Sequence, residues 1–484
     1  LDDLIKQTAA LLEVEPAQAE FGLERAVQDG TVVVDPGRET GDAARVYHRR
    51  YHIAETELAA SLRRLLAYPA SLGTDTLHFR GPQYEMLNDD QKRAVRQAFE
   101  YHVSIITGGP GVGKTTVVGQ IVQTAHSSGR RVYLAAPTGR AAKRLAESSG
   151  RQAKTIHRML KWDPQKRAFV HDRDKPLKCD MLIVDEVSML DVNLANSLFD
   201  AVASSTHVVL VGDRDQLPSV GPGAVLHDLI SCGRIPAINL TEIYRQGEGS
   251  RIVYNAHRLN HGEMPDLLPP ARGNASDFYW IDEEDPERVV DIITRMVCRR
   301  IPQKFRFNPR TDIQVLAPMN NGMCGTIALN RTLQQALNPD DKVQFRSGDR
   351  VFKPRDRVMQ IVNNYDKGVF NGELGSITRI DFKQKKFEVM YDAGNVEYEW
   401  NEADQIKHAY AVTVHKSQGS EFPVVIMPVL TQHFVMLQRN LIYTGMTRAR
   451  RLLICIGTRK ALNIAIRNNK PLLRYTRLTE RLTS

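Results

Sequence analysis

The run Gly108-Gly109-Pro110-Gly111-Val112-Gly113-Lys114-Thr115 leaves this chain few folds to choose from. It matches GxxxxGK[ST], directly after the apolar Val103–Thr107 and directly before the helical Val117–Ser127. A strand that enters such a loop and leaves it as a helix is the context in which the pattern carries chemistry. The glycines let consecutive backbone N–H groups curl around phosphate oxygens, and the helix N-terminus adds its dipole. Lys114 is then expected to reach the β- and γ-phosphates of a nucleoside triphosphate, and Thr115 to ligate Mg²⁺.

The strands around this loop predict the rest of an α/β domain. Val132–Ala136, Met181–Asp185 and Val208–Val211 are short apolar runs, each followed by a loop rich in Gly, Pro or charge. That alternation implies a parallel sheet with its chemistry at the C-terminal strand ends. Leu182-Ile183-Val184 delivers the adjacent carboxylates Asp185 and Glu186 to such an end. Asp185 is expected to hold Mg²⁺, and Glu186 to orient and deprotonate an attacking water, which marks hydrolysis. Gln216 follows the next strand, where an amide can sense the γ-phosphate through that water.

Ile313–Ala317, Ala411–Val414, Val424–Pro428 and Leu452–Ile456 predict a second α/β domain facing the first. It has no second phosphate loop, but it offers Arg245 and Arg448 in loop or helix-start positions. An arginine reaching the γ-phosphate from a facing domain makes hydrolysis depend on closure. Residues 343–402 interrupt this domain with short alternating runs between Gly348-Asp349, Asn371-Gly372 and Asp392–Asn395, the pattern of a small antiparallel barrel. Residues 1–85 predict helices at Asp2–Leu12, Pro16–Gln28 and Ile53–Leu66, with short strands at Thr31–Val34 and Arg45–Tyr47. A winged-helix-like module and a plain helical packing domain both fit. Pro69–Pro82 is the expected linker. The expected domains are thus 1–85, 86–238 and 239–484.

Charge is uneven. Of a net +9, all nine units fall between Arg448 and Ser484, where ten basic residues meet one acidic residue. A second basic stretch, Arg158–Lys178, has seven basic and three acidic residues. Such local fields favour a polyanion, nucleic acid first. The five cysteines lie far apart with no CxxC pair, which argues against a disulfide framework, a zinc site or an iron–sulfur cluster. No apolar run approaches the roughly 20 residues of a membrane span, so a soluble intracellular protein is expected.

Taken in order, these segments resemble superfamily 1 DNA helicases of the RecD-like kind (group B, 5′→3′ polarity), from Leu87 to the C-terminus. Leu87-Asn88-Asp89-Asp90-Gln91 looks like the Q motif, Gly108–Thr116 like motif I, and Ala135–Ala142 like motif Ia. Asp185–Met189 resembles motif II, Gly212–Gly223 motif III in its RecD form, and Thr241–Gln246 motif IV. Val412–Phe422 is similar to motif V and Tyr443–Arg450 to motif VI.

The resemblance implies two RecA-like domains closing on ATP and Mg²⁺, with single-stranded DNA lying across both. It implies that Gln91 reads the adenine edge. It adds Thr116, Gly419 and Glu421 to the nucleotide site. It assigns DNA contacts to Pro137, Thr138, Arg140, Thr155, His157, Thr413, His415, Lys416 and Ser417. Residues 158–178 fall where the family inserts a wedge hairpin at the duplex fork, and 343–402 where it has an SH3-like barrel. Trp162 and Phe169 either stack on a base or pack the hairpin to its domain. The family also implies a monomer in a bacterial cytoplasm, of the stand-alone type, working at a DNA fork or duplex junction beside a single-strand binding protein or recombination partner, and beginning here inside a longer N-terminal extension. An RNA helicase and an ATP-switched loading factor are the alternatives. The Ser219–Gly223 continuation favours DNA, and Glu186 with Arg448 favours turnover.

Overall fold

The computed structural model describes residues 1–36, 44–69, 79, 81–163, 165–243, 249–271, 275–340, 342–364, 366–469 and 474–483. The first α/β domain holds a six-stranded all-parallel sheet in the spatial order Ala237–Leu240, Val103–Gly108, His207–Gly212, Met181–Val184, Val132–Ala136, Ala153–Thr155. Two strands escaped the sequence reading. Ala153–Thr155 is too short to show a pattern, and Ala237–Leu240 has a polar residue in its middle. The second of these carries the sheet to Leu240, two residues past the expected boundary.

Successive strand residues point to opposite faces, and both faces are covered. Ile106, Ile183 and Val209 pack with Phe99 and Ile121 on one side. Ile105, Leu182 and Leu210 pack on the other with Leu58, Leu62 and Phe199. Leu58 and Leu62 belong to the helix Arg49–Ala67, which follows the helices Asp2–Leu12 and Pro16–Gln28 and the antiparallel pair Val32–Asp35 and Arg45–His48. The N-terminal module therefore lends its third helix to the core of the neighbouring domain. The linker reading at 69–82 lies mostly outside the described residues.

The second sheet runs Phe278–Asp282, Ala449–Gly457, Phe422–Val429, Ile313–Ala317, Ala411–Thr413, all parallel. Between its members the chain builds an antiparallel sheet in the order Gly394–Glu399, Lys386–Tyr391, Leu374–Asp381, Arg357–Gln360, Ile406–His408, with the small hairpin Phe345–Ser347 and Arg350–Phe352 beside it. Its core is aromatic: Phe345, Phe352, Phe387 and Tyr398 are all buried. The barrel continues to His408, beyond the expected end at 402.

The C-terminus corrects two expectations. Residues 474–483 leave the second domain and pack on the first, where Leu478 and Leu482 join the core that contains Leu58 and Phe199. Their charge is internal. Arg477, 1% exposed, pairs with Glu480 at 2.7 Å. Arg481 pairs with Glu55 at 3.1 Å and also with Asp35. Arg477 and Arg481, two of the ten basic residues counted there, thus turn inward, and Arg481 ties the C-terminus to Glu55 and Asp35 of the N-terminal module, far away in sequence. A charge sum over one segment cannot show partners of that kind.

Candidate nucleotide and nucleic-acid site

The phosphate loop starts from the strand Val103–Gly108, buried along its whole length, and ends in the helix Lys114–Ser127. Gly111 and Gly113 hold φ of 78° and 83°, which glycine adopts without a Cβ penalty. At Gly113 there is no room for one, because an added Cβ would meet Gln91 Nε2. Val112 anchors the loop in the core, while Thr115 and Thr116 stay exposed at the mouth. Lys114 Nζ donates to the carbonyls of Gly108 and Gly109 at 2.6 and 2.8 Å.

Gln91 departs from its expected role. Its carbonyl accepts from the N–H of Asn88 in a capping box, and its Nε2 donates to the Val112 carbonyl at 3.2 Å. Buried and engaged at both ends, it braces the phosphate loop instead of offering its edge to a base. The cap explains why: a Gln three residues after an Asn N-cap folds back to satisfy the free N–H.

Asp185 and Glu186 emerge at the end of Met181–Val184. Burial and the adjacent Glu186 carboxylate push the Asp185 carboxyl up, and Lys114 opposes them. Glu186 is held at φ 55° and ψ 40°, a left-handed conformation costing on the order of 1–3 kcal/mol in a non-glycine residue and met most often at functional sites. Its N–H donates to Asp185 Oδ1 at 2.8 Å.

Both carboxylates open into a cleft of about 700 Å³ that the phosphate loop shares with Gln216 from its own domain and with Glu421, Arg448 and Arg450 from the other. Arg448 is held by its own domain. Its guanidinium donates to the Thr444 and Ser420 carbonyls and to Thr447 Oγ1, at 3.2–3.3 Å. Glu421 takes Arg144 at 2.7 Å and Arg450 at 3.4 Å, and Arg144 also stands 3.8 Å from Glu186. Arg245 lies outside the described residues.

Residues 213–223 are the hub between the domains. Tyr443 donates its hydroxyl to Asp213 Oδ2 at 2.9 Å, and Gln216 Nε2 donates to the same oxygen at 3.1 Å. The Leu217 N–H donates to Thr444 Oγ1, and its carbonyl accepts from Gln418 Nε2. Gln216 Oε1 is buried with no partner among the described residues. An unsatisfied acceptor costs roughly 1–3 kcal/mol, and it faces a cleft suited to a water or phosphate. Tyr443, Arg144 and His257 escaped the sequence reading of the site; the His257 ring lies 3.7 Å from where a Cβ on Gly109 would stand. Tyr443 lies inside a quoted motif, and Arg144 follows Arg140 by one helical turn. His257 carries no signal in sequence. Nor does Arg474, which donates to the carbonyls of Ser219, Gly221 and Gly223 and so clamps the hub loop.

The residues assigned to nucleic acid sit where the two domains meet the barrel, but their side chains have local tasks. The hydroxyls of Thr138, Thr155 and Thr413 accept from the N–H groups of Ala141, Arg158 and Lys416, capping short helical turns. Ser417 is fully buried, and its hydroxyl donates to the Val414 carbonyl at 2.7 Å, which withdraws it from the expected contact. Arg140 bridges to Ser420 Oγ at 2.9 Å over the Phe422 ring, and burial lowers its pKa. His157 packs against Phe169, which meets Trp162 edge-on at 5.0 Å, so these aromatics bind the hairpin together. Burial lowers the pKa of both His157 and His415. Pro137 is half-buried beside Thr138, and Gly419 at φ 69° comes close to the Thr138 hydroxyl. Lys416 Nζ donates to Asn371 of the barrel at 2.9 Å.

The family comparisons cover these pieces in order. The AAA domain matches residues 91–222, the ATP-dependent RecD-like DNA helicase SH3 domain 329–391, and the UvrD-like helicase C-terminal domain 408–456. The chain is 36% identical over 479 residues to the ATP-dependent RecD2 DNA helicase of Deinococcus radiodurans, covering 97% of this chain and 64% of that protein. It is 28% identical to the RecBCD enzyme subunit RecD of Mycolicibacterium smegmatis, over 90% of this chain and 82% of that one. A solved Pif1 helicase from Bacteroides, in complex with ADP-AlF3 and ssDNA, covers 76% of this chain and 92% of its own at 18% identity and a TM-score of 0.47, too loose an overlap to place any residue. No described helix is long and apolar enough to cross a membrane. With two parallel α/β sheets, an inserted SH3 barrel and these three domain matches in sequence order, the chain is similar along nearly its whole length to RecD and RecD2 helicases, and it spans a little under two thirds of the Deinococcus protein.

Proposed function

We propose that the chain is an ATP-dependent DNA helicase that moves 5′→3′ on single-stranded DNA and unwinds duplex by coupling hydrolysis to closure of its two α/β domains. The observation that carries this reading is the shared cleft: Lys114, Asp185 and Glu186 stand on one domain and Arg448, Arg450 and Glu421 on the other. A loop shaped for phosphates and an orphaned Gln216 carbonyl suit a nucleoside triphosphate. Thr115 and Asp185 fit Mg²⁺, which in such sites takes only one or two protein ligands and completes its shell from phosphates and water. That ion would neutralise charge on the β- and γ-phosphates.

In this mechanism the loop N–H groups and Lys114 bind the phosphates, and Glu186 orients and deprotonates the attacking water. Gln216 reports the γ-phosphate to the hub loop, and Tyr443, Thr444 and Gln418 carry that signal to the second domain. Arg448 supplies positive charge once the domains close; fingers of this kind are worth about 10³–10⁵ in rate. The strand lies across both domains near Thr138, Thr155, Thr413 and Lys416, with Pro137, Arg140, His157 and His415 shaping the groove, under a barrel fixed to both sides. Lys416 ties that barrel to the second domain, and Lys143 ties it to the first through Asp392 at 2.8 Å. Because several of these hydroxyls already cap helical turns, backbone N–H groups and the cations carry the contacts, which suits sequence-blind tracking. A monomer is the working unit.

The test is strand displacement with ATP and Mg²⁺ on matched duplexes bearing a 5′ or a 3′ tail. Unwinding from the 5′ tail alone is expected. Unwinding from the 3′ tail alone refutes the polarity, and ATPase indifferent to single strands refutes the helicase reading.

A further inference from the structure

The first domain carries a second concave site, away from the interdomain cleft. A cavity of about 580 Å³ lies between the starts of the strands Val132–Ala136 and Ala153–Thr155 and the return of the 158–178 insertion. The strand Val132–Ala136 lines the cavity with its first three residues, Arg158, Met159 and Lys161 extend the lining past Thr155, and no residue is shared with the interdomain cleft.

Its lining is one-signed. Arg151, Lys154, Lys161, Lys175 and Lys178 contribute to it and are exposed, and no Asp or Glu is among the described residues lining it. None of these five makes an ion pair among the described residues, whereas nearby Arg131 and Arg173 are paired with Asp180 and Asp200. Clustered like charges repel, and a concave wall focuses their field on whatever enters.

Tyr133 is the second observation. A strand in a parallel sheet is normally covered on both faces, and Leu134, Ala135 and Ala136 are buried. Yet Tyr133 is 37% exposed, and its side of the strand opens into this cavity. A cationic groove with an exposed aromatic is the combination that holds single-stranded nucleic acid without reading sequence.

We infer that this cavity is a second single-strand site, which takes the phosphodiester backbone of a strand other than the one lying between the domains and stacks a base on Tyr133. The occupant is the strand displaced at a fork, which leaves on the outer side of the insertion. This rests on the helicase reading above.

The experiment compares affinity, without nucleotide, for a duplex with one 5′ tail and for the same duplex given a second, non-complementary tail on the other strand. The parent is expected to bind the forked substrate more tightly. The double variant Lys154→Glu/Lys178→Glu loses that gain and lowers the salt slope on the fork by about 1.4, at about 0.7 per phosphate contact. Tyr133→Ala reduces the gain by about 5- to 150-fold, the worth of one stacked base. ATPase stimulated by single strands stays at the parent level in both variants. A parent that binds both substrates equally, or variants that keep the full gain, overturns the inference while normal ATPase stimulation leaves the helicase reading standing. A parent whose ATPase ignores single strands sinks that reading instead.

Discussion

Tyr443→Phe tests whether the 213–223 loop couples the two domains. The substitution keeps the ring and removes one oxygen, which stands 3.0 Å from where a Cβ on Gly109 would be. Tyr443 is 1% exposed, and its hydroxyl reaches Asp213 Oδ2 across the domain boundary at 2.9 Å. Asp213 is equally buried; burial pushes its carboxyl up in pKa, while Lys114 and the Tyr443 hydroxyl pull it down. A hydrogen bond to a charged group is worth about 1.5–3 kcal/mol, and Gln216 Nε2 remains as the other donor to that oxygen. At 1.4 kcal/mol per decade, the loss disfavours the joined arrangement by roughly 10- to 150-fold. The assay is steady-state ATPase with saturating single-stranded DNA, beside a fluorescence distance between labels on the two α/β domains. The expected result is a fall of that size in kcat/KM for ATP, a shift of the labels toward the separated state, and unchanged circular dichroism. A kcat/KM within about twofold of the parent refutes the coupling, because that corresponds to less than about 0.5 kcal/mol.

Lys114→Ala should abolish both tight nucleotide binding and turnover, whereas Glu186→Gln should bind nucleotide normally and lose about 10²–10⁴-fold in turnover, as for a missing general base; equilibrium binding beside ATPase separates the two. Arg448→Ala should lose about 10³-fold or more in kcat with little change in nucleotide affinity, and normal DNA-stimulated hydrolysis would remove it from the reaction. Stability should fall with acid. Burial pushes His207 and His433 down to about 4, against about 6.5 in an unfolded chain. Above pH 6.5 both states are neutral and the histidines contribute nothing. Between 6.5 and 4 only the unfolded chain takes up the protons, so each costs roughly 3 kcal/mol by pH 4. Urea midpoints at about pH 7.5 and about pH 5 should show this loss, and His433→Gln should flatten it; a flat profile in the parent contradicts the argument.

The strands that carry the chemistry were legible because a buried parallel strand is a continuous apolar run and the chemistry sits in the loop that follows it. Val132–Ala136 and Ile313–Ala317 were read residue for residue, and Val103–Gly108 to within one. Gly108–Thr115 and Asp185-Glu186 were legible for a further reason: their function depends on residue types at fixed short spacing, which local geometry alone realises. The barrel announced itself through turn residues between alternating runs, apart from its last strand, Ile406–His408, which returns to pair with Arg357–Gln360.

Partnership between distant segments was decided only in three dimensions. Tyr443 finds Asp213, Arg474 finds Ser219–Gly223, and Arg481 finds Glu55 across hundreds of residues. Nothing in a linear spacing encodes those encounters. The same physics reassigned side chains that the motifs had offered to ligands. Gln91, Thr138, Thr155 and Ser417 each lie beside a backbone group that must be satisfied once buried, and a local hydrogen bond serves that need first. The sequence by itself determined the engine, a phosphate loop and paired carboxylates in one α/β domain with a second facing it. The tertiary structure decided which groups join the domains and which charges stay open to solvent, because burial and pairing depend on what folding brings alongside.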